Sequence, residues 1–167
     1  GAIVSYEPNK GKGNVVRRMF ADIVADIYII LDGDETYDVS MAPLMVNKLI
    51  DENLDMVVGT RKATIAKDAY RSGHIFGNWL LTSAVSLGFN SGFTDKLSGY
   101  RIMSHRFVKS FPINSNGFEI ETEMTVHALQ LKTPFSEVET SYDARPEGSQ
   151  SKLNTWSDGF RILGMIV

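Results

Sequence analysis

Apolar residues follow two rhythms along this chain. Asp26–Leu31 ends in the unbroken run IYIIL, and "LDMVVGT" (54–60) holds another. Short continuous runs bounded by polar turns predict strands buried on both faces of a sheet. Ala2–Tyr6 is short and β-prone, "DKLSGYRIMS" reads as a turn followed by a strand, and Thr133–Tyr142 alternates as a strand does. Between these segments the spacing changes to three and four. Val16, Met19, Phe20 and Ile23 predict a helix over 15–25. Met41, Leu44, Met45, Lys48 and Leu49 predict another over 40–52, with Pro43 confined to its first turn. Phe76–Leu87, with Trp79 in its apolar stripe, reads as a buried helix. Ile120, Met124, Val126, His127 and Leu131 suggest a helix after the Gly117 break, and Thr155 with Asp158 forms a capping box for a last one. Strands alternating with helices imply an α/β protein with a mostly parallel sheet covered on both faces.

Composition narrows the class further. At 167 residues with 43% apolar and 22% charged residues, the chain has one domain's worth of core. Its formal net charge of -3 gives no pull toward nucleic acid. Cysteine is absent, which removes disulfides and thiolate metal sites. No apolar run reaches the roughly 18 residues of a membrane span. The chain opens on a strand-like run without an initiator methionine and stops inside the apolar "GFRILGMIV", so it reads as a piece of a longer protein.

The chemistry concentrates in "LDGDET", Leu31 to Thr36. In α/β sheets ligands sit at the carboxyl ends of strands, where Asp32 and Asp34 fall. Two carboxylates there can share a magnesium ion with substrate phosphates. They can also form a plain turn in which an Asp caps the next helix. The same letters match the first motif of haloacid dehalogenase-like phosphatases, with Asp32 as nucleophile and Asp34 as general acid/base. That family also has a downstream acidic pair, and neither of its patterns occurs in the later residues.

Three segments in order carry a different resemblance. "NKGKGNVVRRMFADIVADIYIILDGDETYD", "TDKLSGYR" (94–101) and "YDARPEGSQSKL" (142–153) are similar to segments of family 2 inverting glycosyltransferases of the GT-A fold. The subgroup they most resemble transfers sugars to dolichyl or undecaprenyl phosphate. The resemblance implies a three-layer α/β/α sandwich in one catalytic domain, lacking its first strand and base-recognition segment. It implies a UDP- or GDP-linked sugar donor, a polyprenyl phosphate acceptor, and Mg2+ or Mn2+ held by Asp32 and Asp34. It also implies a place at the cytoplasmic face of a membrane.

Carried over by position, Lys12, Arg61 and Arg71 would serve the donor phosphates. Arg101 would be a structural or phosphate-facing cation. Asp95 would be the catalytic residue, as base or as an orienting carboxylate, since a phosphate acceptor is already ionised. Arg145, Ser151 and Lys152 would form an acceptor-phosphate loop, where arginine favours bidentate contact. For Lys12, in the Gly11-Lys12-Gly13 turn before a helix, the residues alone allow either an anion site at the helix N-terminus or an exposed turn lysine. Glu119, Glu121 and Glu123 alternate, so they cannot share one helical face, and either Glu119 or Glu121 is expected at the cleft. His74, His105 and His127 show no ligand spacing. A domain that keeps the fold and binds nucleotide without turnover is the non-enzymatic alternative.

Overall fold

The computed structural model describes residues 1–61, 93–95, 98–117 and 119–143. The helices expected at 76–87 and after Thr155, with Arg71, His74, Arg145, Ser151 and Lys152, lie outside them.

The described elements are α1 (Lys12–Asp22), β1 (Ile27–Ile30), α2 (Ala42–Asp51), β2 (Met56–Arg61), β3 (Arg101–Ser104), α3 (His105–Ser110), α4 (Ile120–Gln130) and β4 (Phe135–Thr140). The strands form one sheet in the order β1-β3-β2-β4. β3 runs antiparallel to both β1 and β2, with Ile30 opposite Arg101 and Val58 opposite Arg101. β2 and β4 are parallel, from Met56 opposite Phe135 to Arg61 opposite Thr140. Three strands therefore share a direction and β3 opposes them. This reversal places the start of β3 beside the ends of β1 and β2.

Alternation along the strands divides the core into two layers. Tyr28, Ile30, Met56, Val58 and Met103 pack against helix residues such as Phe20, Phe107 and Met124. Val57, Tyr100 and Ile102 face the other way, onto Met45 and Leu49 of α2. Pro43 lies in the first turn of α2, as its missing N–H requires. Leu44, expected in the buried stripe, is instead 51% exposed, because the stripe narrows to Met45 and Leu49.

One local expectation fails and one element carries no periodic signal, each for a physical reason. Ala2–Tyr6 forms no strand: Ile3, Val4 and Tyr6 stand out to solvent and none meets a ladder partner among the described residues. A β-prone run without a neighbouring edge has nothing to pair with. The short helix α3 has no periodic signature in the sequence, since six residues are too few to show one. Its signal is Ser104, whose Oγ accepts from the Phe107 N–H at the helix start.

The glycine turn before α1 also behaves differently from its reading. Gly11 has φ +126°, and a side chain there would collide with the Asn116 carbonyl. The N–H groups of Gly13 and Asn14 donate to the carbonyls of Gly117 and Asn116. The close approach that the glycines permit is thus made by the chain's own 115–117 segment.

Candidate active site

Ile30 lies opposite Arg101, so the ladder brings the residues after β1 against those before β3. "LDGDET" and "SGYR", more than sixty positions apart, meet there. A Cβ on Gly99 would run into the Asp32 carboxylate, so the two segments are in close contact at this junction. The turn around Gly99 is anchored from beneath. Its N–H donates to Tyr37 Oη at 3.0 Å, and Ser98 Oγ donates to the Gly59 carbonyl at 2.5 Å.

Burial pushes the Tyr37 phenol up to about 12. The folded protein then keeps a proton that the unfolded chain releases near 10, so stability is lost as pH rises from 10 through about 12. Tyr37→Phe is expected to cost about 1–2 kcal/mol at neutral pH, because the buried Gly99 N–H loses its acceptor. The variant should also show a smaller stability loss in that alkaline window. Urea titrations at pH 7 and pH 11 check both.

Asp32 is held from the side as well. Lys12 Nζ lies 2.5 Å from Asp32 Oδ1 and 2.5 Å from Glu121 Oε1. Burial opposes the Lys12 charge, but the Glu121 and Asp32 carboxylates outweigh it and raise its pKa. Burial pushes the Glu121 carboxyl up, against the pull of Lys12. Lys12 is therefore neither an exposed turn lysine nor a cation standing open at the helix end. It bridges the first carboxylate of the motif to Glu121 of α4.

The three glutamates divide as their spacing demands. Glu121 turns to Lys12, while Glu123 accepts from the amides of Asn114 and Ser115 and Glu119 from those of Asn116 and Gly117. Of these glutamates, Glu121 is the one joined to Asp32 through Lys12.

Asp34 Oδ1 accepts from the Thr36 hydroxyl at 2.6 Å, closing a local turn in which Glu35 takes φ +60°. The helix-capping role goes to Asp38, whose carboxylate accepts from Ser40 N. Asp34 is thus not spent as a cap. Hard divalent cations take oxygen donors, and one carried on a diphosphate needs only one or two protein carboxylates. Asp32, 34% exposed, and its partner Asp34 fit that demand. Among the described residues no group of three or more metal-ligating side chains comes together. The pair suits an ion shared with a substrate, not a self-sufficient cage.

Asp95 and Arg61, placed on different ligands by the resemblance, meet each other. Arg61 Nε and Nη2 each donate to the Asp95 carboxylate at 2.7 Å, a bidentate pair, while the guanidinium lies 5.6 Å from the centre of the Tyr142 ring. Arg101 requires a correction. Its side chain is fully buried, and its guanidinium donates to the Ser98 carbonyl and to Thr125 Oγ1, both at 3.0 Å. β3 points it inward beneath the site, an arrangement that fits the structural one of its two expected roles. His105 and His127 make structural contacts, with the Ala25 carbonyl and Ser110 respectively.

No family model matches the chain. It is 34% identical over 160 residues, 95% of its length, to "Glycosyltransferase AglJ" of Haloferax volcanii, of which it covers 52%. Over 74 residues, 44% of its length, it is 60% identical to "Protein RfbJ" of Shigella flexneri, of which it covers 57%. The chain thus spans about half the length of these curated relatives. Its structure superposes on glucosyl-3-phosphoglycerate synthase of Mycobacterium tuberculosis with a TM-score of 0.72 at 14% identity, covering 96% of this chain and 54% of that one. The chain has the GT-A fold. That synthase was solved with Mn2+, UDP and phosphoglyceric acid, and also with Mg2+ and UDP.

Proposed function

We propose that this chain belongs to the catalytic domain of an inverting glycosyltransferase. It would move a sugar from a UDP- or GDP-linked donor to a polyprenyl phosphate. The observation that carries this reading is the junction at the carboxyl end of β1, where Asp32 sits against Gly99 and pairs with Lys12, two residues before Asp34. The sequence likeness to AglJ and the nucleotide and metal complexes of the M. tuberculosis synthase support it.

In this reading Asp32 and Asp34 hold a Mg2+ or Mn2+ ion on the donor diphosphate. When bound, the ion neutralises charge on the departing nucleoside diphosphate. An acceptor phosphate oxygen attacks the anomeric carbon, the bond from that carbon to the diphosphate breaks, and configuration inverts. Asp95 orients the acceptor side, where an ionised phosphate needs little deprotonation. Arg61 and Arg71 serve the phosphates, and Arg145, Ser151 and Lys152 grip the lipid phosphate. The protein works at the cytoplasmic face of a membrane and takes no nucleic acid.

The test is a titration of the intact protein with UDP, GDP and their sugar conjugates, with and without Mn2+. One nucleoside diphosphate is expected to bind only with Mn2+, and Asp34→Ala is expected to lose that binding. Equal binding with and without metal would defeat the reading.

A further inference from the structure

Asp95 sits in a segment clamped by one face of a single strand. Phe135 and Glu137 are two apart on β4 and so point the same way. Phe135 stacks on Phe93, with ring centres 3.6 Å apart and planes 5° from parallel. Glu137 takes the next two residues. Its Oε1 accepts from the amides of Thr94 at 2.8 Å and Asp95 at 3.2 Å, and its Oε2 accepts from Thr94 Oγ1 at 2.7 Å. The Asp95 backbone is thereby fixed by β4, and its carboxylate by Arg61 at the end of β2. β2 and β4 are adjacent and parallel, so the two grips belong to one rigid pair of strands.

We infer that Glu137 is the positioning residue of Asp95: it accepts three hydrogen bonds from residues 94–95 and so fixes where the Asp95 carboxylate stands. This rests on the proposed acceptor-side role of Asp95. Its physical basis is that catalytic groups must be held close to their productive geometry by a supporting shell, and misplacement by about 1 Å can cost about 10²-fold in rate. Glutamate is suited to the task because both its oxygens only accept, matching three donors. Glutamine can reproduce the pattern without charge: its carbonyl accepts from both amides, and its NH2 group donates to the Thr94 hydroxyl.

The experiment compares Glu137→Ala, Glu137→Gln, Asp95→Asn and the double variant Glu137→Ala/Asp95→Asn in the intact protein. Both sugar transfer and amide hydrogen exchange are measured. Glu137→Ala should lower kcat by about 10²-fold with donor KM within about twofold, and Glu137→Gln should recover most of the loss. The double variant should be no slower than Asp95→Asn alone, because two changes to one device do not add. Exchange at the Thr94 and Asp95 amides should quicken in Glu137→Ala and return toward wild type in Glu137→Gln. Additive losses, a wild-type kcat in Glu137→Ala, or unaltered exchange at these amides would each overturn the inference. A wild-type protein that transfers no sugar would defeat the catalytic reading of Asp95 instead. The exchange rates would still decide whether Glu137 positions it.

Discussion

Replacing Asp32 and Asp34 together by alanine is expected to lower kcat/KM for sugar transfer by at least about 10³-fold while leaving the protein folded. Removing one preorganised electrostatic stabiliser of a developing charge typically costs about 10²–10³ in rate, and here both protein ligands of the ion would go. The fold should survive because neither carboxylate is buried and Lys12 keeps its second partner, Glu121. Asp32→Asn separates charge from shape. It can still accept a hydrogen bond from Lys12 and fits beside Gly99, so any loss of transfer reports the missing charge. Transfer rates beside thermal unfolding curves make the check. Transfer within tenfold of wild type in the double alanine variant would remove the metal-assisted mechanism.

The legible parts of this site were those written in local pattern. The buried strand before Asp32 and the helix carrying Val16 and Phe20 follow from runs and periods, and the structure forms both within a few residues of their expected ends. What sequence could not reveal was pairing across the chain. Nothing local says that Lys12 reaches both Asp32 and Glu121, the latter more than a hundred residues away, or that Arg61 holds Asp95. The glycines around Lys12 correctly announced a close approach but not its partner, which proved to be the carbonyls of the 115–117 segment. β3 was misleading in another way. An apolar strand reads the same in either direction, so the reversal that brings Gly99 to Asp32 is set by tertiary pairing alone. Glu137 escaped notice because an alternating strand leaves polar positions looking solvated, and only the fold shows three donors converging on one of them.

Arg101→Ala is expected to be the most destabilising single change among those considered, costing about 3–5 kcal/mol. That is a large share of the roughly 5–15 kcal/mol that a domain has in total. The guanidinium has no exposed surface, and burial lowers its pKa against the opposing pull of Glu121 and Asp95. Its removal opens a cavity between β3 and α4 and strips a buried donor from the Ser98 carbonyl and from Thr125. It also takes away one of the two cations, with Lys12, that offset Glu121. Arg101→Met separates these effects, since it refills most of the volume without charge or donors. The midpoint of urea unfolding should fall in both variants, and further in alanine. Because Arg101 supports the Ser98-Gly99 turn from below, transfer should fall roughly as the folded fraction does, and donor affinity of the folded protein should hold. Donor affinity lost in Arg101→Met at an unchanged unfolding midpoint would instead put the guanidinium on the phosphate side of the turn.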